Sequence, residues 1–108
     1  MDIINEYLQK HKRFEELLLG RKFRLLSPKI ECTDGFSMSV QVSETHYCTP
    51  RMNDALEYFN VEVGFPSAEE ELLMPYAEEE ANPTGTVYGW TPVEVVNSVI
   101  EKHGGIKE

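Results

Sequence analysis

Thr33-Asp34-Gly35 lies between two alternating stretches, residues 29–33 and 36–42, and restricts the fold more than any other feature of the chain. Successive side chains on a strand point to opposite faces, so a one-residue slip in pairing sends every apolar residue to the wrong side. A two-residue loop, Asp34-Gly35, would pair Thr33 with Phe36 and Glu31 with Met38, setting a carboxylate opposite the apolar face. A three-residue loop with Gly35 in the left-handed conformation pairs Cys32 with Phe36 and Ile30 with Met38, and puts Glu31 opposite Ser37 on the other face. Only the second register sorts the faces. The sequence therefore predicts an antiparallel hairpin with one greasy side and one polar side.

The other elements follow from periodicity and end signals. Asp2 is a candidate N-cap for a helix running to about Leu19, with Ile4, Tyr7, Leu8, His11, Phe14, Leu17 and Leu18 at steps of three and four and Gly20 as the stop. His11 falls in that apolar stripe and reads as a boundary histidine. Residues 21–26 alternate basic and apolar before Pro28, as a short edge segment would. Residues 57–65 predict a strand with Phe59, Val61, Val63 and Phe65 on one side and Tyr58, Asn60 and Glu62 on the other. Ser67 and Glu70 have capping-box spacing, which predicts a short helix over 68–74 broken by Pro75. A turn at 82–85 leads to a last strand over 86–90. Thr91-Pro92-Val93-Glu94 combines a cap, a proline at the first helical position and a capping-box acid, and predicts a helix to about His103 that buries Val93, Val96, Val99 and Ile100. Gly104-Gly105 ends it.

At 108 residues the chain forms a single domain, 1–108, with room for one core. The expected fold is α+β, an antiparallel sheet of three to five strands packed by an N-terminal and a C-terminal helix. No apolar run approaches the roughly 20 residues that span a bilayer, and no signal-peptide pattern opens the chain, so a cytoplasmic protein without membrane contact is expected. Two cysteines do not make a disulfide framework, and Cys32 falls on the apolar face of its strand.

Charge divides the chain. Residues 1–51 carry seven acids and eight bases, whereas residues 52–101 carry eleven acids and no lysine or arginine. Direct nucleic-acid binding needs cations on the contact face, so an acidic half argues against it and favours a basic partner. The triplets Glu69, Glu70, Glu71 and Glu78, Glu79, Glu80 are candidates for a partner-facing acidic patch. A plain solvated face is the competing reading.

Residues 34–51 end in a run of hydrogen-bonding groups directly after a strand, where binding residues commonly sit. Thr45, His46, Tyr47, Thr49 and Arg51, with Tyr88 and Trp90 to stack, are candidates for an anion or nucleotide site, since an isolated arginine beside hydroxyls suits a phosphate. His46 and Cys48 could share a face of an extended segment, but a structural metal needs a second ligand pair and a cysteine nucleophile needs an oxyanion turn, and neither pattern is present. No catalytic residue, metal or cofactor is expected.

The stretches DGFSMSVQVSETHYCTPR, VEVGFPSAEEELLMPYAEE, NPTGTVYGW and PVEVVNSVIEKHGGI resemble a group of short, uncharacterised proteins encoded by phages and prophages of Gram-positive bacteria. The resemblance covers most of residues 29–106 and carries no enzymatic motif. It implies an accessory protein acting in the host-cell cytoplasm, such as an anti-CRISPR-like inhibitor of a bacterial defence system. The expected function is a non-catalytic inhibitor whose acidic surface binds a basic host protein such as a CRISPR nuclease. The alternative is a protein, oligomeric or not, that sequesters a nucleotide immune signal through Arg51 and neighbouring aromatics.

Overall fold

α1 (Ile3–Lys10) begins as the sequence predicts. Asp2 Oδ1 accepts from the Asn5 backbone N–H at 2.9 Å, and Ile4 and Leu8 are buried. The computed structural model, which describes residues 2–107, ends this helix at Lys10 and not at Leu19. Residues beyond it turn back as a hairpin of β1 (Phe14–Glu16) and β2 (Lys22–Arg24), with Phe14 opposite Arg24. Tertiary contact decides the end. Arg24, almost fully buried, donates from Nη2 to the Leu8 carbonyl at 2.7 Å and from Nη1 to the Asn53 carbonyl at 3.1 Å. One of the carbonyls orphaned at a helix C-terminus is thereby satisfied from outside. Leu17, Leu18 and Leu19, read as part of the apolar stripe, form the exposed hairpin tip, and Gly20 belongs to that tip.

The main sheet contains β3 (Ile30–Glu31), β4 (Ser37–Gln41), β5 (Asn60–Gly64) and β6 (Val87–Pro92) in that order, all antiparallel. Ile30 pairs with Met38 and Glu31 with Ser37, the register expected for the three-residue loop. The Cys32 N–H donates to the Phe36 carbonyl at 2.8 Å, and Gly35 adopts a φ of +97° that a side chain would resist. Residues 105–107 run beside β3 and cover its edge, with Lys107 N–H donating to the Glu31 carbonyl at 2.8 Å and Thr33 N–H to that of Gly105 at 3.0 Å.

One sheet face presents Ile30, Met38, Val40, Val61, Val63 and Tyr88, all buried. It packs in one cluster with Ile4 and Leu8 of α1 and with Val93, Val96, Val99 and Ile100 of α2 (Val93–Lys102). Each such aliphatic side chain contributes about 1.5–3 kcal/mol relative to exposure. The fold is thus α+β, with the helices on the apolar face of the four-stranded sheet and a two-stranded hairpin beside it.

Three local expectations are corrected. Thr91 does not cap α2: its hydroxyl donates to the Tyr88 carbonyl at 2.9 Å, while the Val93 N–H donates to the Phe59 carbonyl at 3.1 Å. The helix does end at Gly104-Gly105, in paired bonds from Gly104 N–H to the Glu101 carbonyl and Gly105 N–H to the Ile100 carbonyl. Regular pairing in β5 stops short of the expected strand ends. Tyr58 turns inward, bonded to Met52 and Asn5, and Phe59 and Phe65 turn outward.

The third correction is residues 67–81, which form no α-helix. Ser67 Oγ accepts from the Ser37 N–H at 2.9 Å in place of a capping bond, and the segment runs through turns to one 3-10 turn, Met74–Tyr76. Leu73 is completely buried, and burial of Leu73 and Glu70 together outweighs the helix propensity of the glutamates.

Candidate functional site

β5 and β6 pair irregularly. Val61 faces Thr91 and Val63 faces Tyr88, so one residue of β5, Glu62, lies opposite two of β6, Gly89 and Trp90. The extra residue makes a bulge at Gly89-Trp90, a device that re-aims side chains beside functional sites. Trp90 holds a φ of +49°, a left-handed backbone that costs a bulky residue about 1–3 kcal/mol, and the residue is 52% exposed. The strain is held by neighbours: the Trp90 N–H donates to the Tyr47 carbonyl at 3.0 Å, and the Tyr47 N–H donates to Glu62 Oε1 at 3.1 Å.

Those bonds bring the 43–51 run onto the bulge. The Tyr47 and Trp90 rings stack at 4.7 Å with 24° between planes, and the Arg51 guanidinium lies 5.5 Å from the centre of the Tyr47 ring. Gly89 permits this packing, because a Cβ there would sit 3.2 Å from Tyr47 Cβ. On the other side of β6, Ala77 bridges Tyr88 antiparallel and the Glu78 N–H donates to the Val87 carbonyl at 3.0 Å. That register sets Tyr76 across from Gly89. The result is a cavity of about 330 Å³ lined by Tyr47, Tyr76, Glu78, Gly89 and Trp90, at the lower end of the range for small-ligand sites.

The other predicted residues of this run are divided. Ser43 Oγ organises the turn, with His46 Nδ1 at 2.5 Å, Thr45 Oγ1 at 3.0 Å and the Thr45 N–H at 3.0 Å. Burial depresses the His46 pKa, and the charges of Arg24 and Arg51 push the same way against Glu62. His46 is therefore neutral near neutral pH. Cys48 is buried, its Sγ lies 3.4 Å from both the Ser43 and the Pro50 carbonyls, which share its one proton, and burial raises its pKa, so it stays protonated. Thr49 is exposed and its backbone pairs with Asn60. Tyr88, expected to stack on a ligand, is fully buried with its hydroxyl 2.5 Å from the Pro83 carbonyl. It serves the core because the strand alternation that exposes its neighbours points it inward.

The acidic patch needs one correction. Glu69, Glu71, Glu78, Glu79 and Glu80 are exposed, but Glu70 is only 2% exposed and bonded on both oxygens. Its Oε2 accepts from Lys102 Nζ at 2.9 Å and from the Leu72 N–H at 3.0 Å, and its Oε1 lies 2.7 Å from His103 Nε2. His103 Nδ1 in turn lies 2.6 Å from Asp34 Oδ2, and its ring stacks on Phe36 at 4.1 Å. Burial works against the charge on His103, yet its bonds to Glu70 and Asp34 outweigh burial and raise its pKa above 6.5. Burial alone would raise the Glu70 pKa, but hydrogen bonds from Leu72, His103 and Lys102 hold it below the ordinary 4.5. The imidazolium thus clamps the hairpin turn, the end of α2 and the acidic segment together.

Sequence reasoning missed Tyr76, Glu62, Gly89 and this clamp. One signal was available for Gly89, since an isolated glycine within a strand pattern marks a bulge. Spacing set Glu70 apart only as a capping partner of Ser67, and not as the buried partner of Lys102 and His103.

The chain matches no family model, and it matches neither a curated protein nor a solved structure. Among the described residues no helix is long and apolar enough to cross a membrane.

Proposed function

We propose that this chain is a non-catalytic binding protein that docks its acidic loop on a basic surface of a host protein, as an anti-CRISPR-like inhibitor occupying the nucleic-acid channel of a nuclease would. The observation that carries the reading is the way residues 69–80 are held. Glu70 and Leu73 are buried tethers, and the backbone of Glu78 and Glu79 is bonded to β6 and to Thr86 Oγ1. Five glutamates therefore stand on a pre-ordered surface, which lowers the entropy cost of binding. Their common sign steers a cationic surface toward them and makes the association salt-sensitive.

The test is binding to purified CRISPR nucleases at low and high salt, using wild type and a variant carrying Glu69→Lys, Glu71→Lys, Glu79→Lys and Glu80→Lys. Wild type is expected to bind and inhibit at low salt, weaken steeply as salt rises, and lose at least about tenfold in affinity on charge reversal. Unchanged binding and inhibition in the variant would remove the reading.

The nucleotide reading is supported by the Tyr47–Trp90 stack with Arg51 over Tyr47. Against it, the cavity beside that stack is lined by Glu78 and not by Arg51, Thr45 or Thr49. A carboxylate at the mouth of a phosphate site is unfavourable. A melting-temperature rise with a nucleotide, lost in Arg51→Ala, would restore this second reading.

A further inference from the structure

The cavity at the β6 bulge specifies more than negative charge. Three aromatic side chains, Tyr47, Tyr76 and Trp90, line it with one carboxylate, Glu78. Aromatic faces carry the negative part of a quadrupole and attract cations, tryptophan most strongly. A carboxylate in the same wall adds a charged acceptor. A phosphate would be repelled by both features, and a neutral apolar group would leave Glu78 unused. Among biological cations, the arginine guanidinium fits best. It is planar and weakly hydrated, stacks on aromatic rings, and presents a fork of donors to a carboxylate.

The chain already pairs this chemistry at the same cluster. The guanidinium of its own Arg51 lies over the Tyr47 ring, yet Arg51 is not among the residues lining the cavity. Trp90 remains half exposed on a left-handed backbone that glycine would occupy without strain. Strain retained to present a large side chain to solvent is the pattern expected of a binding element. The surroundings agree, since Glu79 and Glu80 follow Glu78 on the exposed edge of the acidic loop.

We infer that the cavity between Tyr76 and Trp90 is a receptor for an arginine side chain of the partner, whose guanidinium stacks on the aromatic wall and donates to Glu78. The inference rests on the docking function proposed above and gives the acidic surface an anchor. Fixed arginine recognition supplies specificity, whereas diffuse charge supplies mainly association rate.

Trp90 is the chain's single tryptophan, so its emission and its indole N–H resonance report directly on the cavity. The full chain is titrated with acetyl-Gly-Arg-Gly-amide and, separately, with the same peptide carrying citrulline, which keeps the shape and loses the charge. The arginine peptide is expected to give a saturable shift in both signals, and the citrulline peptide none. Glu78→Gln, an exposed substitution that keeps the fold and the probe, is expected to raise the Kd about tenfold, as loss of a charge-assisted hydrogen bond implies. Trp90→Gly, which suits the backbone at that position, is expected to abolish binding (read from the Tyr76 ring resonances) without lowering the melting temperature. No saturable change with the arginine peptide, or equal affinity for citrulline, would overturn the receptor. The titration uses no macromolecular partner, so its failure leaves acidic docking to be judged by charge reversal at Glu69, Glu71, Glu79 and Glu80, which lie outside the cavity lining.

Discussion

Residues 67–81 and the β1–β2 hairpin both leave the sheet-and-helix core, and their fates reverse what their compositions suggest. The first is polar, with six glutamates, and is tied down. The second carries a Leu17-Leu18-Leu19 run and sends it into solvent, with Leu18 91% exposed and Leu19 fully so. The difference lies in tethers. The acidic segment buries Leu73 and drives Glu70 into a site where Lys102, His103 and a backbone N–H wait for it. The hairpin has one comparable anchor, Arg24, at its base, and at its tip only an exposed pair between Arg21 and Glu44. Apolar character orders a segment only where an opposing surface is free to receive it, and the core face is already filled by α1 and α2.

Glu70→Ala should have the largest effect on that contrast. It leaves His103 without its buried carboxylate partner and frees the acidic loop, and a loss of about 3 kcal/mol is expected in denaturant unfolding, as for breaking a buried ion pair. Hydrogen exchange should show the amides of 70–79 falling from protected toward the level of the hairpin tip. A loss within the range of an ordinary surface change would mean that Leu73 alone holds the loop.

The pH dependence comes next. His103 has a raised pKa, so its contribution is complete below about 6.5, the unfolded value, and is lost as pH rises through the folded value. Glu70 and Asp34 have lowered pKa values, so their contributions hold above the ordinary carboxylate range and are lost as pH falls through their folded values. The clamp is therefore strongest between those limits. His46 behaves in the opposite sense to His103. Its lowered pKa gives stability that is present above about 6.5 and lost as pH falls below it. Stability curves of wild type and His103→Asn should thus converge as pH rises above 6.5, and the slope on the acid side of 6.5 should persist in the variant. Parallel curves above 6.5 would show that His103 is not the titrating group.

The smallest effect belongs to the hairpin tip. Leu18→Ser should change stability by no more than about 0.5 kcal/mol, because nothing packs on that side chain. A larger loss in chemical unfolding would reveal a surface that covers the leucines.

Much of the fold was legible in the chain. Only one pairing at 29–42 keeps Ile30, Cys32, Phe36 and Met38 on one side, and β3 pairs with β4 in that register. Asp2 and Gly104-Gly105 marked their helix ends by local chemistry that acts within a few residues. The candidate site was half legible. Tyr47 and Arg51 were named in the polar run after a strand and Trp90 as a ring to stack, and these three do meet, but Tyr88 was assigned to a ligand and belongs to the core. Gly89 within a strand pattern hints at a bulge, but local pattern does not give the pairing with β5 that sets how Trp90 faces.

By itself, then, the sequence determined what depends on near neighbours: the alternation and turn of the β3–β4 hairpin, the Asp2 cap, the glycine stop of α2, and the division into a mixed half and a cation-free half. Tertiary structure decided what depends on partners distant along the chain. Arg24 ends α1 by reaching Leu8, Lys102 and His103 single out Glu70 from its equally charged neighbours, and Gly89 lets Tyr47 pack against Trp90. Such contacts join residues 16 or more positions apart, and their free energy comes from desolvation and geometry that exist only once the core has formed.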